Sequence, residues 1–201
     1  FFPGVSATRS GKWIVISTND HDTSECWIIP VSDLTAAPIC VAPREKGVMY
    51  DLSHWGDRFV IRTNADSATD FKLMTVADSV FAPGRPGDRI DWQERVPHRA
   101  GHYITGAICF ADHLVWTERV NANTVIEIEN RAGERHQLAT DEDAYTLSLD
   151  GAYEFAATEL RYSYQSPTTP PQRFASDMDT RTRHLLKTQD APAGPDPANY
   201  R

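Results

Sequence analysis

Long hydrophobic runs are missing from this chain of 201 residues. No apolar stretch approaches the roughly 20 residues that a helix needs to cross a bilayer, so we expect no membrane segment. The chain also lacks a basic-plus-apolar stretch at its beginning, so we expect no secretion signal, although Phe1 need not be the natural N-terminus. Basic residues are outnumbered, and the formal net charge is -8. This charge argues against nucleic acid or an anionic membrane as a general partner.

Cysteine is scarce as well. The three cysteines, Cys26, Cys40 and Cys109, are an odd number and lack the spacing of a metal site. We therefore predict buried free thiols rather than a disulfide, and a reducing compartment, namely the cytoplasm. No metal or other cofactor is expected.

A repeat of short strand-like segments runs along the whole chain. Four similar runs follow one another at intervals of 46, 55 and 46 residues. They begin at Trp13, Phe59, Leu114 and Leu160. A second set keeps the same rhythm over the first three copies, and loop 80–88 accounts for the longer interval. Repeats of roughly 40–50 residues made of short strands are typical of β-propeller blades.

The repeat predicts an all-β fold of about four consecutive four-stranded blades, with almost no helix. The predicted blades are residues 1–46, 47–100, 101–141 and 142–190, and 191–201 is a Pro-rich linker. Ile126–Glu129 alternates with period two, as a half-exposed strand does. Ile14, Ile16 and Val60 have apolar neighbours, as in strands covered on both faces. Propellers close with about 4–8 blades, so the simplest interpretation is part of a larger propeller.

Several stretches are more specific than the repeat and point to a known family. These stretches are Ala42–Tyr50, His54–Phe59, Val96–Arg99, Leu160–Pro170, Leu185–Gln189 and Asp196–Tyr200. In this order and spacing the chain resembles the propeller domain of the prolyl oligopeptidase family of serine peptidases, in particular its oligopeptidase B branch. The resemblance covers essentially the whole chain.

The resemblance implies a seven-bladed propeller that caps an α/β-hydrolase domain with a Ser-Asp-His triad. This chain would be its last four blades and the hinge toward the catalytic domain. The family's nucleophile lies in a Gly-x-Ser-x-Gly-type turn, and no such pentapeptide occurs here. We therefore assign no catalytic residue to this chain. The resemblance also implies cleavage of short peptides after Arg or Lys.

Several histidines and carboxylates are candidates for a catalytic or metal site. His98, His102 and His113, with Asp112, suggest a Ser-His-Asp or metal site only weakly, because Asp112 and His113 fall at a predicted hairpin turn. The acidic run 141–143 is expected to be a solvated loop, with contact to a cation or a basic substrate as the alternative.

Two groups of residues are candidates for contact between domains. Arg161, Tyr162 and Tyr164 share one strand, and alternation places both tyrosines on one face. Packing between blades is their simpler role, and an interface with the catalytic domain or its channel is the other. Four residues of the closing segment are candidates for a hinge: Asp196, Pro197, Asn199 and Tyr200.

Two functional interpretations remain from the sequence. The first is the gating domain of a peptidase, whose partners are its own catalytic domain and short basic peptides. The second is a stand-alone propeller that binds another protein. A truncated propeller would also expose blade faces, so we expect it to self-associate.

Overall fold

The computed structural model describes residues 1–82, 87–151 and 154–190. It is an all-β structure with four antiparallel four-stranded sheets, which confirms the predicted fold class. Each sheet is a blade whose strands follow one another in space as they do in sequence. No helix in this part of the chain is long and apolar enough to cross a membrane.

The strands of blades one and two occupy the first half of the chain. Blade one contains β1 (Phe2–Ala7), β2 (Trp13–Asn19), β3 (Ser24–Pro30) and β4 (Ile39–Cys40). Blade two contains β5 (Tyr50–Trp55), β6 (Arg58–Thr63), β7 (Lys72–Ala77) and β8 (Gln93–Val96). Between β7 and β8 lie two short 3-10 turns, Asp78–Val80 and Arg89–Asp91.

Blades three and four repeat the arrangement. Blade three contains β9 (His102–Cys109), β10 (His113–Val120), β11 (Asn123–Asn130) and β12 (Arg135–Gln137). Blade four contains β13 (Thr146–Leu149), β14 (Glu159–Gln165), β15 (Gln172–Asp177) and β16 (Arg183–Thr188). Within the described residues no strand joins blade one to blade four, so the four sheets form an open series.

The core lies between neighbouring blades, in three separate clusters. Strand β6 shows why, because its side chains alternate between two faces. Phe59 and Ile61 are buried against blade one, whereas Val60 is buried in the cluster shared with blade three. Full burial of such a side chain stabilises the folded state by about 1.5–3 kcal/mol. A blade with a neighbour on each side therefore needs apolar residues on both faces.

Three sequence-based expectations need correction. Ile14 and Ile16 are only partly buried, because they lie on the face of blade one that points away from blade two. Glu129 is completely buried, so β11 is not a half-exposed strand. His113 is not in a turn but begins β10, opposite Asn130, and it is also buried. In each case the neighbouring blade, or its absence, decides the exposure.

All three cysteines are free and buried, as predicted. Burial raises the pKa of Cys26 to about 12 and that of Cys109 to about 12. Thiols with such pKa values stay protonated near neutral pH and are poor nucleophiles.

Candidate functional site

The first candidate surface is the end of the propeller where the chain leaves blade four. After β16, the amide N–H of Gln189 donates to the carbonyl oxygen of Pro171 at 2.8 Å. Pro171 belongs to the loop between the second and third strands of blade four. The exit therefore lies at the end formed by these second-to-third-strand loops and by the connections between blades. We call this surface the exit end.

Hydrogen bonds tie the connections between blades to the loops at the exit end. The N–H of Gly47 donates to the Thr23 hydroxyl at 3.1 Å, and the N–H of Gly101 donates to the Asp70 carboxylate at 2.9 Å. Both glycines have φ +81°, a left-handed conformation that costs other residues free energy. The two glycines thus play the same part in successive blades.

The exit end is acidic. Its loops are residues 20–23, 41–49, 64–71, 97–101, 121–122, 138–145 and 166–171. Eight acidic side chains lie in them: Asp20, Asp22, Glu45, Asp66, Asp70, Asp141, Glu142 and Asp143. The basic ones are three: Arg44, Lys46 and Arg99. A surface of this kind attracts positively charged molecules through its field as a whole.

The acidic run 141–143 is bonded to blade four rather than only solvated. Glu142 accepts hydrogen bonds from the hydroxyls of Thr168 and Thr169, at 3.1 and 2.7 Å. Hydrogen bonds from Ser166, Thr169 and Thr168 lower the pKa of Glu142, so it remains ionised. Asp141 accepts a hydrogen bond from Arg183 at 2.8 Å. The run fixes the loop of blade four that adjoins the chain exit.

Tyr162 and Tyr164 lie on the same face of β14, and both are buried against blade three. Tyr162 stacks on Phe174 with ring centroids 5.5 Å apart, and its hydroxyl lies 3.2 Å from that of Ser176. The Tyr164 hydroxyl has no hydrogen-bond partner among the described residues. Arg161 is exposed on the opposite face. The tyrosines therefore pack between blades, and the hinge candidates Asp196, Pro197, Asn199 and Tyr200 lie outside the described residues.

The structure does not bring the candidate histidines together. The His102 Nδ1 lies 2.9 Å from the Glu118 carboxylate, and the His98 Nε2 lies 3.7 Å from Asp70. The His113 Nε2 lies 3.0 Å from Asp179, not from Asp112. In the described ranges, no three His, Cys, Asp or Glu side chains are grouped so that they could hold a metal ion.

A chain of hydrogen bonds through His54 was not foreseen. The His54 Nδ1 lies 2.8 Å from the Ser10 hydroxyl, and its Nε2 lies 3.3 Å from the Asp78 carboxylate. Burial lowers the pKa of His54, against the opposing effect of Asp78. His54 is therefore neutral near pH 7, and it joins the first turn of blade one to blade two.

A buried charge network between blades two and three was also missed. Glu129 is completely buried and pairs with Arg95 of blade two and Arg135 of its own blade. The Arg131 guanidinium lies 4.1 Å from the Trp55 ring centroid. No local pattern revealed the contacts between the blades, because Arg95 and Glu129 are 34 positions apart in sequence and Trp55 and Arg131 are 76 apart. Arg135, in contrast, lies directly opposite Glu129 on the next strand.

The chain matches a known protein family over nearly its whole length. Residues 1–189 match the family model described as prolyl oligopeptidase, N-terminal beta-propeller domain. The chain belongs to the prolyl oligopeptidase family. It forms part of the N-terminal propeller of this peptidase family, and the resemblance seen in its sequence is confirmed.

Individual members of the prolyl oligopeptidase family agree with this placement. Dipeptidyl aminopeptidase BI of Pseudoxanthomonas mexicana is 36% identical over 200 residues, which are 100% of this chain and 27% of that protein. Protease 2 of Moraxella lacunata is 25% identical over 197 residues, or 98% of this chain and 27% of that protein. The chain thus spans about a quarter of the length of these relatives.

Solved structures agree with the fold. The closed form of oligopeptidase B from Trypanosoma brucei, with covalently bound antipain, superposes with a TM-score of 0.86 at 25% identity. The alignment covers 98% of this chain and 28% of that one. Oligopeptidase B from Leishmania major gives a TM-score of 0.85 at 22% identity, covering 99% and 29%.

Proposed function

We propose that this chain is the substrate-access part of a serine oligopeptidase that cleaves short peptides after Arg or Lys. The observation that carries the proposal is the match of residues 1–189 to the propeller of a peptidase family. In this proposal the propeller excludes folded proteins and admits short peptides, while a separate α/β-hydrolase domain performs acyl transfer. The compartment is the cytoplasm, which suits three free thiols.

The exit end suits contact with the catalytic domain of the same polypeptide. The chain leaves blade four beside Pro171, and its closing segment contains the hinge candidates Asp196, Pro197, Asn199 and Tyr200. In the proposal these residues let the two domains separate to admit peptide and close to complete the site. Arg161, Tyr162 and Tyr164 would stabilise the blade nearest to that hinge.

The acidic exit end favours basic peptides as substrates. The loops of the exit end carry eight acidic side chains against three basic ones. Lys72, Arg89 and Arg183 pair with three of the eight. The other five still outnumber the basic side chains of these loops and favour a negative potential there. Peptides containing Arg or Lys would be concentrated there, whereas nucleic acid and anionic membranes would be repelled.

Removal of dipeptides from the N-terminus of a peptide is a second candidate activity. It is favoured by the 36% identity to a protein named dipeptidyl aminopeptidase BI. The two activities differ in one requirement, because a dipeptidyl aminopeptidase needs a free N-terminal amine on its substrate and an endopeptidase does not.

The experiment uses the natural protein that contains this sequence. Its intact mass is measured, and it is given an arginyl-arginyl chromogenic peptide with either a free or an acetylated N-terminus. We expect a mass well above 22.5 kDa and cleavage of both peptides that a serine-reactive inhibitor abolishes. A diglutamyl peptide is the control and should be cleaved poorly.

Two outcomes separate the alternatives. Cleavage of the free peptide alone would favour the dipeptidyl aminopeptidase activity. A natural mass near 22.5 kDa without cleavage would reject the peptidase and leave a propeller that binds another protein.

A further inference from the structure

A cavity of about 330 Å³ lies between the inner strands of blades one and two. Its wall comes from strands β1, β2, β3, β5 and β6, from the loop that follows β2 and from the connection before β5. That loop and that connection belong to the exit end, so the cavity lies in the half of the groove nearer to it. Known small-molecule sites begin at about this size. Its polar lining includes Ser6, Ser17, Asn19, Asp20 and Asp51.

Arg62 approaches Asp51 from one side only. Its Nε and Nη2 both lie 2.8 Å from the same carboxylate oxygen, Oδ2. Its Nη1 donates to the carbonyl of Ile104 at 3.1 Å, and its guanidinium lies 4.3 Å from the Phe71 ring centroid. Blade three and Phe71 hold Arg62 in place, and both of its short contacts with Asp51 are to Oδ2, not to Oδ1.

Asp20 also accepts its hydrogen bonds through one carboxylate oxygen. Its Oδ1 accepts the backbone N–H groups of Asp22 and Thr23, at 3.1 and 2.9 Å. These hydrogen bonds lower the pKa of Asp20, so the carboxylate stays ionised. Neither of these N–H groups donates to Oδ2. Two carboxylates thus line one cavity, each with an oxygen left to accept a hydrogen bond.

The side chain of Asp51 is 53% exposed, so its second carboxylate oxygen is open to the cavity. A cation bound beside that oxygen would be attracted by the carboxylate and would lower its pKa.

The rest of the lining suits an aliphatic stem attached to a cation. Val15, Met49 and Leu52 supply apolar surface, and the hydroxyls of Ser6 and Ser17 supply hydrogen-bonding groups at the wall. Lysine and arginine side chains bind in this manner, with the methylene groups on apolar surface and the charged head on a carboxylate.

We propose that the cavity between blades one and two binds the cationic group of a short peptide, either an ammonium or a guanidinium, between Asp51 and Asp20. The site would hold a basic peptide on the propeller before cleavage, and this inference rests on the function proposed above. It assigns recognition of charge to the propeller in addition to any recognition in the catalytic domain.

The test is calorimetric binding to the natural protein after a serine-reactive inhibitor bearing an arginyl group has filled the cleavage site. Four probes separate the two sources of charge. Argininamide carries both cations, acetyl-argininamide only the guanidinium, citrullinamide only the ammonium, and acetyl-citrullinamide neither. We expect binding of the cationic probes and none of the neutral one, and Asp51→Asn should weaken the former about tenfold.

Asp57→Asn is the matched control. Asp57 is also an aspartate paired with an arginine, Arg58 at 2.9 Å, but it lies in the turn after β5, at the opposite end of the blade. The Asp57→Asn variant should leave the affinity for the probes unchanged. Ser6→Leu is a second variant, which fills the cavity while leaving both carboxylates in place, and it should also weaken binding.

The results distinguish this inference from the proposed function. Unchanged affinity in both Asp51→Asn and Ser6→Leu, or equal binding of the neutral probe, would overturn the cation site even if the protein cleaves peptides. Binding that depends on Asp51 in a protein that cleaves no peptide would keep the site and reject the peptidase. The melting temperature of each variant identifies a loss caused by unfolding.

Discussion

At the residue scale, buried carboxylates hold the blades at fixed positions. Glu118 is 1% exposed and accepts hydrogen bonds from Arg99, His102 and Trp116, at 2.8–3.0 Å. A buried charge is tolerated only when its partners satisfy it. Glu118 therefore connects the segment entering blade three to the second strand of that blade.

Replacing Glu118 tests this role. We expect Glu118→Ala to lower the free energy of unfolding by about 3 kcal/mol, because it leaves the Trp116 N–H buried and unpaired and removes the acceptor of Arg99 and His102. Denaturant unfolding of the natural protein, followed by tryptophan fluorescence, measures the change.

Glu127 is the matched control for Glu118, since it lies on the adjacent strand and is half-buried. Burial and the neighbouring Glu118 raise the pKa of Glu127. The ionised form of Glu127 therefore does not stabilise the folded state. Glu127→Ala should change stability by less than about 0.5 kcal/mol. An equal loss in both variants would show that the Glu118 network adds nothing specific.

At the scale of elements, each blade is a meander whose connections depend on local conformation. Gly101 has φ +81°, and a Cβ at that position would meet no atom within 4 Å. The cost of an alanine there would come from the backbone alone, about 1–2 kcal/mol.

Gly101→Ala should therefore reduce the free energy of unfolding by about 1 kcal/mol. Gly151→Ala is the control, because Gly151 also has open space around it but no positive φ. Thermal unfolding of the two variants measures the difference. Identical melting temperatures would mean that the connection before blade three relaxes to another conformation.

Alternation along hairpins also explains which cross-strand pairs were predictable. Asp51 and Arg62 are directly opposite across the turn at Gly56. Counting outward from a two-residue turn at Gly56 and Asp57 pairs Trp55 with Arg58 and Asp51 with Arg62. Once that turn is located, the charge pair therefore follows from the sequence. The contact of Arg62 with blade three had no such signal, because it depends on packing between blades.

At the scale of the whole molecule, the two terminal blades present different faces. The face of blade one that points away from blade two carries Val5, Ile14, Ile16, Trp27 and Ile29. Val5 is 71% exposed. The corresponding face of blade four is polar and includes Ser148, Arg161, Ser163 and Arg173.

The 201-residue polypeptide expressed alone should therefore self-associate through blade one. Apolar surface of this kind promotes association when nothing covers it. Ile16→Lys should lower the average mass measured by analytical ultracentrifugation, whereas Ser163→Lys, on the polar face, should not. A monodisperse monomer would contradict the prediction.

The sequence by itself determined the number of blades, most strand positions and the family. These properties follow from local patterns, namely strand periodicity, turn residues and the spacing of the repeat. The position of Tyr162 and Tyr164 on one face of their strand also follows from alternation.

Only the tertiary structure decided which side chains the blades bury, where the exit end lies, and that Asp20 and Asp51 share a cavity. Glu129, His113 and Ile16 illustrate the reason. Their exposure is set by a neighbouring blade, tens of residues away in sequence or missing from one side, and no local pattern encodes that neighbour.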